Sequence, residues 1–530
     1  MIEKMMNNFC KGLVGVGLMV AVPFLSFSQK PNWQNLDLQA DSTFGISTEK
    51  AYSELLKGKK SKKVTVAVVD SGVDIEHEDL KPVIWVNPKE KAGNGKDDDK
   101  NGYTDDVKGW SFLGSAKGSI NNETLELTRL VRRDKARFGD KDASQIPAAD
   151  KAAYETYLKN KAAFDQEVAE AKAGLEQFSA VKNAIDGVVK KMGKENPTLE
   201  DFKALKPADN MEANVQRIML QQLEGKTFAE FYKSQIEPGY EHYHSQLEYN
   251  LNLDYDPRSI VGDDPNNMKE RFYGTAEVQG PDARHGTHVA GIIGATRTNS
   301  LGIMGVADNV DIMVVRAVPN GDERDKDVAN AIRYAVDKGA KVINMSFGKS
   351  YSWDKGIVDE AVKYAVSKDV LLVHAAGNDN NNLEEKENFP DPRYVDGGVA
   401  SSWLTVGASG WKNDGTIRAS FSNYGKTTVD VFAPGVNINS TVPGSKYEKL
   451  NGTSMAAPVV AGLAALIRSY YPKLTAVQVK DIIMKSVVKV DQSVTITDDS
   501  GAKTVPFSDL CVTGGIVNAY NALKLAEGYK

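Results

Sequence analysis

Cysteine is nearly missing from this 530-residue chain, which has two, Cys10 and Cys511. A disulfide-stapled scaffold is thereby excluded, because such a framework needs several pairs within a short chain. Glycine (45) and proline (19) are too sparse for a collagenous or low-complexity chain. No sign of charge dominates: Lys and Arg number 65 against 71 Asp and Glu, a net charge of −6. That mildly acidic balance argues against a nucleic-acid surface. What remains is the ordinary mixture of a soluble globular protein, 41% hydrophobic and 26% charged, with enough apolar residues for a large core. Length alone suggests three or four domains at about 150 residues each.

The N-terminus departs from that average. Lys4 and Lys11 precede an apolar run from Gly12 to Phe27, which Pro23 interrupts and which closes on Ser26-Phe27-Ser28. The pattern predicts a cleaved export signal over residues 1–28 rather than a stable membrane anchor, since an anchor needs about 20 apolar residues without a central breaker. Cys10 lies ahead of the run, so no lipid-modified cysteine is expected at the cleavage point. Cleavage would leave Cys511 as the only thiol, in a periplasmic or extracellular protein.

Val64 to Val69 form a β-branched run that stops at Asp70-Ser71-Gly72. This predicts a buried strand that delivers an acid at its carboxyl end, where open α/β sheets gather their functional groups. In Arg284-His285-Gly286-Thr287-His288-Val289-Ala290-Gly291 a histidine opens a small-residue helical pattern. His285 and His288 do not enclose a glutamate, so the zinc motif His-Glu-x-x-His is missing. A base oriented by a distant carboxylate suits His285 better, with His288 a packed structural residue. Ser454, in Asn451-Gly452-Thr453-Ser454-Met455-Ala456-Ala457-Pro458, stands at the start of an apolar helix. There, free N–H groups and the helix dipole favour a developing oxyanion. A hydroxyl needs a base and a third group to hold that base, and His285 and Asp70 can supply both.

These three segments resemble the active-site signatures of the subtilisin-like serine proteases, in the same chain order, Asp, His, Ser. An esterase of the α/β-hydrolase kind would need its histidine last, and the last histidine here is His374, upstream of Ser454. The resemblance implies a three-layer α/β fold with a mainly parallel sheet. It also implies hydrolysis of peptide bonds in extended or unfolded polypeptides through an acyl-enzyme, with no cofactor required for the chemistry. By the same resemblance Asn378, in Leu371 to Asp379, is an oxyanion donor. Ser346, Phe347 and Gly348, with Ala375, Ala376 and Gly377, flank the main specificity pocket. A peptide ligase would use the same residues. A non-catalytic binding protein on this fold is the alternative from another class, and the four intact positions count against it.

The chain also departs from the family pattern. More than two hundred residues separate Asp70 from His285, where family members commonly have a few dozen. From 116 to 269 the composition shifts to Ala, Lys, Glu and Gln. Tyr157, Phe164, Ala171, Phe178, Ile185 and Met192 recur every seventh residue, which predicts one long helix packed on a partner. Asn196-Pro197-Thr198 ends it, and Thr198 with Asp201 caps a second helix. Met211, Val215, Ile218 and Met219 supply a third apolar face. The expected organisation is a signal (1–28), an N-terminal arm (29–63), a discontinuous peptidase domain (64–115 and 270–530) and an all-α insertion (116–269), a hairpin or small bundle. The insertion reads equally as a partner-binding or regulatory element and as a tolerated surface loop. His242 and His244, within it, read as solvated rather than metal-binding. The arm leaves no room for an inhibitory prodomain of usual size, so self-inhibition is expected from the insertion or from the arm.

One loop, Asn94 to Asp106, carries a concentration of acid. Asp97, Asp99, Asn101, Tyr103 and Asp105 match the opening positions of an EF-hand, but Lys108 stands where the bidentate Glu belongs. A complete EF-hand is excluded, leaving a partial structural calcium site or a solvated turn.

Overall fold

A computed structural model describes residues 29–139, 141–498 and 501–529. The export signal predicted over 1–28 lies outside the described residues. The chain forms two compact units, Leu127–Tyr255 and, separately, 29–126 with 256–529. The helical unit is thus narrower than the 116–269 read from composition, because both flanks are tied into the other unit. Glu126 pairs with the buried Lys349 at 2.5 Å. Arg258 pairs with Asp263 at 2.6 Å and Asp327 at 2.8 Å, all of them buried.

The helical unit contains α1 (Glu126–Phe138) from Leu127 onward, α2 (Lys151–Met192), α3 (Asn210–Gln222) and α4 (Glu237–Ser245). The seventh-residue repeat becomes the 42-residue α2, which ends at Gly193 in a left-handed conformation (φ 64°). Thr198 and Asp201 then form a capping box on a short helix. In its second half α2 buries Val181, Ala184, Ile185 and Val188 against Val215, Ile218 and Met219 of α3 and against Phe231 and Ile236. Phe178 lies outside this core, tilted against Tyr243 with ring centroids 5.7 Å apart. His242 meets Tyr243 edge-on, and His244 pairs with Glu248 at 3.2 Å.

The other unit is organised on a nine-stranded sheet. In chain order its strands are β1 (Val64–Asp70), β2 (Gly109–Ser111), β3 (Val310–Arg316), β4 (Val342–Met345), β5 (Leu371–Ala375), β6 (Trp403–Ser409), β7 (Val431–Pro434), β8 (Val488–Lys489) and β9 (Gly515–Ile516). Their spatial order is β8-β9-β7-β6-β5-β4-β1-β3-β2, parallel throughout except for the β8–β9 edge. The central strands are continuous apolar runs because both faces are covered. Val64, Val66 and Val68 pack with α5 (Arg284–Gly294) and α8 (Thr453–Tyr470). Ala67 and Val69 point the other way, onto α6 (Asp325–Asp337) and α7 (Lys355–Ser367). This alternation gives the expected three layers. Among the described residues no helix is long and apolar enough to cross a membrane.

The N-terminal arm is part of this core. Trp33, Ile46, Ala51 and Leu56 are buried in the same cluster as α5 and α8. The carbonyl of Ile46 accepts from Ala519 N at 2.7 Å, and Ser47 Oγ accepts from Asn518 Nδ2 at 2.8 Å. Excising the arm would therefore remove core. Within this sheet β5, β4, β1 and β3 lie side by side, so their carboxyl ends share one edge of the unit.

Candidate active site

Asp70 is the last residue of β1 and has 2% of its side chain exposed. Its Oδ1 accepts from Ser71 N at 2.8 Å and from His285 Nδ1 at 2.7 Å. Because a carboxylate can only accept here, Nδ1 carries the proton and Nε2 keeps its lone pair. His285 is the second residue of α5, and the helix comes close because Gly286 has no side chain. A Cβ there would lie 2.2 Å from the Gly72 carbonyl and 3.1 Å from Asp70 Oδ1. Burial pushes the His285 imidazole down, but the charge of Asp70 and its hydrogen bond, with Asp282 adding to them, outweigh burial and raise it above its ordinary value. The ring keeps 39% of its side-chain surface exposed, enough to meet a substrate.

His288, on the same helix, is fully buried. Its Nε2 donates to the carbonyls of Ile438 (2.9 Å) and Glu448 (3.0 Å), and burial lowers it to about 4. It is a neutral structural residue, as its position in the sequence suggested.

Ser454 is the second residue of α8, after the cap Gly452. Its Oγ donates to the Ser346 carbonyl at 3.1 Å, and Ser346 Oγ donates back to the Ser454 carbonyl at 2.9 Å. The hydroxyl hydrogen therefore points to the β4 extension, and it must turn to the imidazole before the proton can be transferred. Thr453 fixes Asn378: its N–H and Oγ1–H donate to Asn378 Oδ1 at 2.8 and 3.0 Å. With the oxygen so occupied, the Asn378 amide must present Nδ2 elsewhere. The virtual Cβ of Gly452 locates that direction, lying 3.5 Å from Ser454 N and 3.6 Å from Asn378 Nδ2. Two nitrogens able to donate thus border one small space, with Met455 Sδ also 3.6 Å from the same point, as an oxyanion site requires.

The expected specificity walls lie at the ends of β4 and β5. Ser346 and Phe347 are buried, and the Phe347 carbonyl accepts from His374 Nε2 at 2.7 Å. His374 is buried and neutral, lowered to about 4 by burial. Asn388 Nδ2 donates to the carbonyls of Ala375 (3.2 Å) and Ala376 (3.1 Å), while a Cβ on Gly348 would lie 2.3 Å from Asn388 Oδ1. Gly377 N donates to Thr453 Oγ1 at 3.0 Å, which joins this wall to the serine helix. Thr453 and Asn388 are positioning residues that the sequence reading missed. Thr453 was legible in principle, being a hydroxyl next to the nucleophile, whereas Asn388 lies in a loop without any motif.

The acidic loop is organised differently from the prediction. Asp97 accepts from Asn101 N and Gly102 N, and Asp105 accepts from Asn94 N and Gly95 N, so both carboxylates cap turns. Tyr103 is buried among Trp110, Phe112 and Tyr334. Asn101 Nδ2 donates to Asp106. The carboxylates that converge are Glu90, Asp99 and Asp106, whose oxygens lie within 4.8 Å of one another. Lys338 pairs with Asp99 (2.7 Å) and Asp106 (2.9 Å). Three carboxylates against one lysine leave two negative charges, and Glu90 Oε2 and Asp99 Oδ1 are buried without a partner. This cluster, sharing only Asp99 with the predicted set, has the donors and surplus charge that suit a hard divalent cation.

A family model described as "Subtilase family" matches residues 61–508. The chain is 45% identical over 186 residues to the "Thermophilic serine proteinase" of Bacillus sp. (strain AK1), covering 35% of this chain and 42% of that protein. It is 40% identical over 200 residues to the "Thermostable alkaline protease" of Halalkalibacterium halodurans, covering 38% and 51%. To "Subtilisin BL" of Lederbergia lenta it is 39% identical over 198 residues, covering 37% and 67%. The chain spans about half the length of most of the curated relatives it matches.

Proposed function

The chain belongs to the subtilase family, and on that premise we propose that it is an exported serine endopeptidase acting on extended or unfolded polypeptide. The observation that carries this reading is the 2.7 Å bond from Asp70 to His285 Nδ1, which leaves Nε2 as the free base. His285 Nε2 takes the proton of Ser454 as Oγ attacks the substrate carbonyl. The oxyanion sits between Ser454 N and Asn378 Nδ2. His285 then protonates the leaving amine, and water, activated by the same base, releases the acyl group. Asp70 holds the tautomer and stabilises the imidazolium without itself taking the proton. By the family resemblance, the segment 346–348 beyond the end of β4 is where an extended peptide would pair through its main chain. Export is supported by the pattern of residues 1–28. The test is degradation of a denatured protein by wild type and by Ser454→Ala, with the variant inactive.

A structural calcium ion is proposed at Glu90, Asp99 and Asp106, supported by the two orphaned oxygens. Its contribution would be to neutralise the buried carboxylates, with no part in the chemistry. The helical unit, which packs around its own core, is read as a partner-binding or regulatory element. The arm is a poor candidate for removable self-inhibition, since Trp33 and Ile46 are core residues.

A further inference from the structure

The sheet order places two crevices side by side at the carboxyl ends of the strands. One, between β5 and β4, is flanked by the specificity walls. The other lies across β4, at the ends of β1 and β3, where a cavity of about 260 Å³ opens against Asp70, His285 and Ser346. Its outer wall is fixed, because Asn320 N donates to the Asn121 carbonyl at 2.7 Å. Successive side chains of an extended peptide point to opposite sides. A substrate with one residue in the first crevice therefore turns its neighbour toward the second.

The cavity is lined by two charged groups besides the catalytic pair, Asp282 and Arg316. Arg316 has only 1% of its surface exposed and gives its N–H groups to protein oxygens, among them the carbonyls of Ser71 (2.8 Å) and Ile120 (2.5 Å). Two carboxylates, Glu277 and Asp282, act on that one guanidinium, so a negative charge is left over beside the cavity, and an acidic substrate side chain would find the Arg316 donors already engaged. Asp282 is exposed, and among the described residues its carboxylate accepts one hydrogen bond, from Arg284 N at 3.0 Å. The nearest cation in sequence does not neutralise it, since the Arg284 guanidinium is held bidentately by Glu448 at 2.7 and 2.8 Å.

The geometry points to a subsite for a basic side chain. The substrate residue adjoining the one in the specificity pocket is preferentially lysine or arginine, and Asp282 is the residue that selects it. This inference rests on the endopeptidase reading and names its substrate class. A full ion pair at about 5 Å in a half-solvated cleft corresponds to roughly a tenfold preference.

The test is a set of internally quenched peptides in which each position flanking the specificity residue is in turn Lys, Ala or Glu. Wild type is expected to show kcat/KM about tenfold higher for Lys than for Ala at one flanking position, with Glu the poorest. The preference should shrink between 0.05 and 0.5 M NaCl, as an exposed ion pair does. Asp282→Asn should bring the Lys and Glu peptides close together, and Asp282→Lys should invert their order. Cleavage of the Ala peptides with no gain from Lys at either position would overturn the subsite and leave the endopeptidase reading standing. Lys preference that survives unchanged in Asp282→Asn would overturn the assignment to Asp282. Absence of cleavage of every peptide, together with no labelling by a fluorophosphonate, would overturn both.

Discussion

Replacing Gly452 by alanine probes the oxyanion site with a single methyl group. The added carbon would lie 3.5 Å from Ser454 N and 3.6 Å from Asn378 Nδ2, and it would meet no other atom more closely. The fold should therefore accept it. The cost to folding is conformational: Gly452 has φ 154° and ψ 160°, a region only glycine adopts readily, worth about 1–3 kcal/mol. The catalytic cost is larger, because an oxyanion must approach both donors to about 2.7–3.1 Å in the space the methyl occupies. One donor is worth ~3 kcal/mol, a magnitude established on a member of this family, so disturbing both predicts a loss in kcat of at least about 1,000-fold. The measurement is kcat on a quenched peptide alongside thermal unfolding of the same preparation. A folded variant whose kcat stays within tenfold of wild type would refute the placement of the oxyanion between these two donors.

Three other consequences can be measured. His285 is raised by Asp70 and must be neutral to act as base, so kcat/KM should fall as pH drops through a value above its ordinary 6.5. Asp70→Asn should move that limb downward and reduce kcat by roughly 10⁴; an unmoved limb would assign it to another group. His288 and His374 are both lowered to about 4, so the unfolded chain binds their protons first. Their stability contribution is complete above pH 6.5 and is lost as pH falls toward 4, at up to about 3 kcal/mol each. Unfolding in denaturant between pH 7 and 4 should show this as a falling midpoint, which His288→Gln attenuates. Calcium should raise the unfolding temperature, with about 2.7 kcal/mol gained at one hundred times Kd, and Glu90→Gln should abolish the response. An equal melting temperature in calcium and in chelator would remove the site.

The parts of the site that could be read from the sequence are those whose chemistry is local. Asp70 stands where a β-branched run ends, Ser454 where an apolar helix begins, and the long helix announces itself by its seventh-residue repeat. The three layers follow from buried strands with apolar residues on both faces. What escaped is what depends on distant segments meeting. Thr453 matters only because Asn378 arrives from the segment after β5, and Asn388 only because the segments that follow β4 and β5 meet at it. The acidic loop misled because a ligand pattern counts residues and not directions. Asp97 and Asp105 spend their oxygens on turn N–H groups, while Glu90, seven residues upstream of Asp97, completes the cluster with Asp106. The edges of the insertion were displaced because Arg258 and Asp263, polar residues in a polar stretch, are buried partners of Asp327.

Every step of the proposed hydrolysis depends on Ser454 being an activated nucleophile. The most direct measurement is to treat the purified, folded protein with a fluorophosphonate and locate the adduct by mass spectrometry of the digested chain. A single adduct on Ser454 is predicted, absent from Ser454→Ala and strongly slowed in His285→Ala. A folded wild type that takes up no label and leaves denatured protein uncut would contradict it.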